Sequence, residues 1–326
     1  MANYIFRRLI LAIPLLVVIS FLAFLIFQLS PGNYFDQLRM NPDISQATIQ
    51  RLMSKYHFDK PVWMQFLYWL KGALVFDFGY SLSQPNVPVM SILTYRLGNT
   101  LILSISSFLL TWLLAIPLAI LCVLYHGRFW DKFLRFSSFI GISTPSFFIA
   151  MLLLWIASRM SGIPIGGMHS LGYENWSWHK QFLDLAIHLV VPTITLVVVS
   201  ISGLMRILRA NMLEVLNENY IQLARAKGLS QKTIFLRHVL PNAMNPLISL
   251  LGLEIAGLFS GAALIEIIFN WPGLGSLLLE ATRSQDVFLV MGNIVIIGWV
   301  LIIGNLLADI LLVWVDPRIR FQRKYA

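Results

Sequence analysis

An all-α integral membrane protein with six transmembrane helices is the fold class this sequence predicts, and three observations carry it. Of the 326 residues, 58% are hydrophobic and only 12% charged, against about 25% charged in soluble domains; the mean hydropathy is +0.75. Six apolar runs approach or exceed the ~20 residues that cross a bilayer. Lysine and arginine are concentrated in alternate connecting segments, as a membrane topology requires.

The first run covers roughly 9–29, behind Arg7-Arg8. Its apolar part is too long for a cleaved secretory signal, and the Ser30-Pro31-Gly32 exit lacks a small-x-small cleavage pattern, so it reads as a retained signal-anchor. The others cover about 100–124, 135–157, 187–205, 247–268 and 288–315. Pro192 interrupts the fourth, which is tolerable where neighbouring helices satisfy the freed backbone groups. With the N-terminus inside, segments 1–8, 125–135, 206–246 and 315–326 hold 15 basic residues, and the short outer loops 158–186 and 268–287 hold 3. Segment 30–99 holds 6 but is too long to weigh in orientation. Both termini are therefore predicted to be cytoplasmic. The net charge of +9 is explained by topology, and no nucleic-acid partner is expected.

The outer segment 30–99 has its own patterning. Asp43 or Ser45 is placed to cap a helix through Ile49, Leu52 and Met53. Gln65–Leu70 is amphipathic and aromatic: an interfacial helix, or an element for docking or substrate access. The longest polar, basic stretch of the second half is Tyr220–Asn242. Ala224, Arg225, Ala226 and Lys227 favour a helix, Gly228 stands where a left-handed cap belongs, and Ser230 can cap a second helix that Pro241 stops. The expectation is a rigid polar elbow between two spans.

Glu254, Glu266, Asn305 and Asp309 fall in or at the ends of the last two spans. Such residues are functional suspects, or they tie helices together at roughly 1 kcal/mol per contact; Glu266 and Asp309 are expected near water at span ends. The six histidines show no close metal-ligand spacing, and Cys122 is the only cysteine, so no metal site or disulfide is expected. There is no nucleotide-binding phosphate loop. Gly273-Leu-Gly-Ser276 has the outline of a serine-nucleophile elbow without a plausible base. No enzyme activity and no cofactor are predicted.

Ala224-x3-Gly228, followed by Leu240-Pro241, resembles the cytoplasmic coupling loop of permease subunits in ABC importers. The Glu-Ala-Ala that opens that pattern is Gln222, Leu223, Ala224 here, and His238 replaces an isoleucine. Ala224-Arg-Ala-Lys-Gly-Leu-Ser230, Arg237-His238 and Pro241-Asn242-Ala243 are similar to the dipeptide/oligopeptide branch. So are Arg8-Leu9, Pro31-Gly32, Asp59-x-Pro61, Asp77-x-Gly79-x-Ser81, Thr144-Pro145, His188-x3-Pro192, Arg206-x2-Arg209, Glu266 to Gly275 and Asp316-Pro317-Arg318-x-Arg320. Departures are His57, Phe58 and Phe76, where glycine, leucine and glycine are usual, and Glu254, where glutamine is expected.

The resemblance implies a type I ABC importer permease fold in the cytoplasmic (inner) membrane of a prokaryote. It implies a B-type subunit beside a related C-type permease, two ATP-binding cassette subunits that hydrolyse ATP, and an extracytoplasmic solute-binding protein. Short peptides would be the cargo, or nickel chelates or another small solute. The coupling contact would centre on Gln222, Ala224, Arg225, Ala226, Lys227, Gly228, Leu229, Ser230, Arg237, Leu240 and Pro241. The expected division is an anchor and outer segment 1–99, a core 100–315 containing the coupling loop 206–246, and a tail 316–326. An ion-coupled secondary transporter using Glu254, Glu266 and Asp309 is the reading from another class.

Overall fold

Proline decides where the third apolar run bends. In the computed structural model, α6 (Phe129–Ser143) and α7 (Ser146–Ser158) meet at 106°. Thr144 is extended (φ −93°, ψ 126°), as a residue before proline prefers, and Pro145 follows at φ −57°, ψ 139°. The span expected over 135–157 is thus divided between two helices. The structure describes residues 2–29 and 32–315, without the side chains of 2–5, 249–250, 252–261, 308 and 311–315. Pro31, the Glu254 side chain and the Asp316–Arg320 motif lie outside what is described.

The other elements, in order, are α1 (Ala2–Leu29), α2 (Tyr34–Arg39), α3 (Gln46–Lys55), α4 (Val62–Ala73), α5 (Val89–Leu124), α8 (Trp178–Leu216), α9 (Asn219–Ala226), α10 (Gln231–Ile234), α11 (Leu240–Ile268), α12 (Leu274–Arg283) and α13 (Val287–Val315). Among the described residues, four helices are long and apolar enough to cross a membrane, and the bent α6–α7 pair makes a fifth if it counts as one span. Helices overrun the apolar runs that announce them. α5 begins eleven residues before the run at 100, and α8 has 39 residues, roughly 58 Å at 1.5 Å per residue.

Contacts divide the chain into two units: 1–100 with 272–302, and 101–271 with 303–326. In the first, Phe24, Phe66, Trp69, Phe78 and Leu93 pack with Leu274, Leu277 and Met291. Ser45 is the residue that caps α3, accepting from the Thr48 N–H at 3.2 Å. The motif around Ser81 acquires a reason. The fully buried Asp286 accepts from the Ser81 hydroxyl at 2.5 Å, from the Ser83 N–H and hydroxyl at 3.0 and 2.9 Å, and from the Leu289 N–H at 3.1 Å. The Pro272–Gly275 turn is held likewise: Asn99 and Asn293 donate to the carbonyls of Pro272 and Leu274, and Leu274 N–H donates to Thr100, each at 2.8 Å. Ser276 accepts from the Gly273 N–H at 3.1 Å and so caps α12. It is a structural serine.

In the second unit, α8 is the spine. A Cβ on Gly141 would collide with the Ser202 hydroxyl, so α6 and α8 meet at a distance only glycine permits. Asp131, fully buried, accepts from Arg209 Nε at 2.8 Å, Arg209 Nη2 at 3.0 Å and the Gly127 N–H at 2.9 Å. Such a pair replaces each charge's lost hydration with aimed hydrogen bonds. Towards the start of α8, Asp184 accepts from the Ser170 hydroxyl and N–H at 2.5 and 3.0 Å, tying a loop to the helix.

Candidate functional site

The elbow is built by short-range rules. α8 ends at Leu216, and α9 starts at Asn219 after two intervening residues. On α9, Ile221 and Ala224 turn inward and are buried with Ile234, Val239 and Ala243. Gln222, Leu223, Arg225, Ala226 and Lys227 turn outward and are exposed. This is the i, i+3 segregation of an amphipathic helix. Ala224 is therefore small because α9 packs closely on its own unit. Burial and the Glu218 carboxylate push the phenol of Tyr220, beside this face, up from its ordinary pKa.

The turn that follows is fixed by the backbone. Gly228 has φ +78°, a conformation that costs an L side chain about 1–2 kcal/mol. Its N–H donates to the Arg225 carbonyl at 3.0 Å, and the Leu229 N–H donates to the Ala224 carbonyl at 3.3 Å. These two bonds form a Schellman cap, which satisfies carbonyls at the helix end. A Cβ at Gly228 would meet nothing within 4 Å. Conformation, not crowding within the chain, demands the glycine. Ser230 then caps the next helix, accepting from the Thr233 N–H at 3.2 Å.

Pro241 does not stop that helix, contrary to expectation. α10 passes through a π-helical turn, Phe235–Val239, straight into α11. The Leu240 N–H donates to the Phe235 carbonyl five residues back. The wider turn lies immediately ahead of Pro241 and makes room for a ring that would otherwise strike the preceding turn. Leu240 and Pro241 thus open α11. Leu229, Ser230, Arg237 and Pro241 are exposed, and Leu240 is half-buried. The result is a stiff ledge with cationic Arg225, Lys227, Lys232 and Arg237 on its outer side.

The intramembrane candidates are elsewhere. Glu266 stands at the far end of α11 from the elbow, 26 residues on from Leu240, roughly 39 Å along the helix axis. It is fully buried, not water-facing as expected. Its carbonyl accepts from the Trp271 N–H at 2.8 Å, closing the turn that ends α11. Asn305 and Asp309 lie one turn apart on α13 and are half-buried. The buried Asp131–Arg209 and Asp184–Ser170 pairs were not anticipated. Arg209 belonged to a recognised motif, but its partner is 78 positions away.

Comparison with known proteins places this architecture. Residues 115–321 match the family described as "Binding-protein-dependent transport system inner membrane component", and residues 1–106 match the corresponding N-terminal family. The oligopeptide transport system permease protein AppB of Bacillus subtilis (strain 168) is 37% identical over 322 residues, covering 98% of this chain and 100% of the relative. The dipeptide transport system permease protein DppB of Escherichia coli (strain K12) is 32% identical over 340 residues, covering 99% and 100%. The glutathione transport system permease protein GsiC of Escherichia coli O1:K1 / APEC is 30% identical over 322 residues, covering 99% and 100%. A chain of the MetNI methionine ABC transporter, solved in an inward-facing conformation, superposes with TM-score 0.55 at 15% identity, covering 70% of this chain and 97% of that one. That likeness speaks for the fold alone. Apolar helices, a self-capped polar elbow and matches along nearly the whole chain agree: the protein belongs to the binding-protein-dependent transport system inner membrane component family, the permease subunits of ABC transporters.

Proposed function

We propose that this chain is the B-type permease subunit of an ATP-driven importer of short peptides, in the cytoplasmic membrane of a prokaryote. Six spans with both termini inside put the elbow on the ATP side and segment 30–99 outside, following the distribution of basic residues. A second, C-type permease completes the path, a solute-binding protein delivers cargo outside, and two ATP-binding cassette subunits work inside. Of the division into 1–99, 100–315 and 316–326, the first boundary is supported by the break between the two family matches, at 106 and 115. Peptide as cargo is supported by the oligopeptide, dipeptide and glutathione relatives.

The observation that carries the coupling role is the combination of rigidity and exposure at α9–Gly228–α10. An ATPase changes the permease's conformation only by contacts that differ between its states, and a capped, hydrogen-bonded ledge transmits such a difference where a loose loop would absorb it. Gln222, Arg225, Ala226, Lys227, Leu229, Ser230, Arg237 and Pro241 form the contact face; Ala224 and Leu240 anchor it, and Gly228 sets its angle. The test is co-purification followed by transport. The chain should bring down a phosphate-loop ATPase and a second permease, and Gly228→Val should keep the assembly but separate ATP hydrolysis from uptake. Uptake by this chain alone in proteoliposomes, without ATP, would overturn the reading.

A further inference from the structure

Between α3, α4 and the start of the Asp77 loop lies a cavity of about 300 Å³ that the coupling role does not use. It is at the lower end of the range of small-molecule sites. Its lining includes Lys55, Tyr56, His57, Tyr68, Asp77 and Tyr80. His57 is strained: its φ is +62°, where glycine would sit without cost. In that conformation its ring stacks on Tyr68, with centroids 4.4 Å apart and planes 23° apart, and forms part of the wall. Backbone strain that persists where it shapes a pocket points to function.

Of the charges in the lining, Lys55 lies over the Tyr56 ring, 5.3 Å from its centroid. Asp77 uses one carboxylate oxygen on the Gly79 N–H at 3.0 Å. Among the described residues neither Asp77 nor Lys55 has an ion-pair partner. Trp69, also in the wall, is buried, and its indole N–H has no acceptor among the described residues. Unsatisfied buried donors are rare and call for a partner.

We infer that this cavity binds a short zwitterionic peptide. Asp77 takes the ammonium, Lys55 takes the carboxylate, and the His57–Tyr68 stack with Tyr56 and Tyr80 covers a side chain by ring contact. The inference rests on the peptide-import reading, and adds to it a substrate site on the outer segment that this chain carries by itself. His57 is a specificity-determining residue there, because a glycine would leave that wall open.

The test uses the full-length chain in nanodiscs, without a binding protein, titrated calorimetrically with Ala-Phe and with its N-acetylated, C-amidated form. Ala-Phe should bind saturably and the capped form about tenfold or more weakly, the loss expected from charge-assisted hydrogen bonds. Asp77→Asn, which keeps an acceptor for Gly79, should weaken Ala-Phe about tenfold as well. His57→Gly should weaken it while leaving the unfolding temperature equal or higher, since the strain is relieved; a merely structural histidine would not separate the two. No saturable binding, unchanged affinity in both variants, or variants that lose only association with the binding protein would overturn the inference. Uptake of Ala-Phe by the complete assembly, measured alongside, distinguishes the failures. Uptake without binding here sinks this site alone, whereas uptake of no peptide sinks the import reading beneath it.

Discussion

The elbow and the Asp131–Arg209 pair both put charge on α8 or its continuation, and they treat it in opposite ways. At the elbow, Arg225, Lys227 and Arg237 stand exposed, while the backbone beneath them satisfies itself through the Gly228 and Ser230 caps. At Asp131, both carboxylate oxygens are consumed by groups of the same chain and the carboxylate is fully buried. Charge that the fold consumes holds the fold together. Charge on a self-sufficient scaffold is not needed by the fold and stays exposed.

Breaking the buried side should cost most. Asp131→Ala strands Arg209 and is expected to destabilise the chain by about 3–5 kcal/mol. Detergent-solubilised yield and unfolding temperature should fall sharply, and a stability close to that of the unsubstituted chain would remove the pair from the structural class. Gly228→Val comes next, at about 1–2 kcal/mol for a branched residue forced into the left-handed region. Here the informative measurement is the ratio of ATP hydrolysed to substrate taken up, which should rise while subunit assembly persists. Ser230→Ala should cost about 1 kcal/mol of local helix stability, read as faster amide hydrogen exchange over α10 and little change in α8. The double variant Arg225→Ala and Lys227→Ala should shift folding stability by less than about 0.5 kcal/mol, as exposed charges do. Its effect belongs in association: the ATPase subunits should dissociate more readily, and increasingly so with salt. If that double variant unfolds the chain instead, the comparison fails.

Sequence reading succeeded where the deciding forces act within a few residues. The Gly228 turn follows from one residue's tolerance of positive φ, and the Ser230 cap from a side chain reaching three residues on; both were legible and both are present. Thr144-Pro145 announced its break by the same local chemistry, but lay inside an apolar run that read as one span. Pro241 was misread in the other direction. Its usual effect is to end a helix, and the π-turn at Phe235–Val239 that accommodates it has no simple sequence signature.

By itself the sequence determined a helical membrane chain and an elbow with its own caps, and it set the expectation for which runs enter the bilayer and on which side their ends lie. These depend on hydropathy, charge counts and local backbone preferences, all written in consecutive residues. Only the tertiary structure decided that Arg209 would meet Asp131, that Ser81 and Ser83 would meet Asp286, that Glu266 would be buried, and that His57 would be bent over Tyr68. Those outcomes depend on which distant segments pack together. A buried polar group is stable only where its partner has arrived, and no single stretch of chain records that meeting.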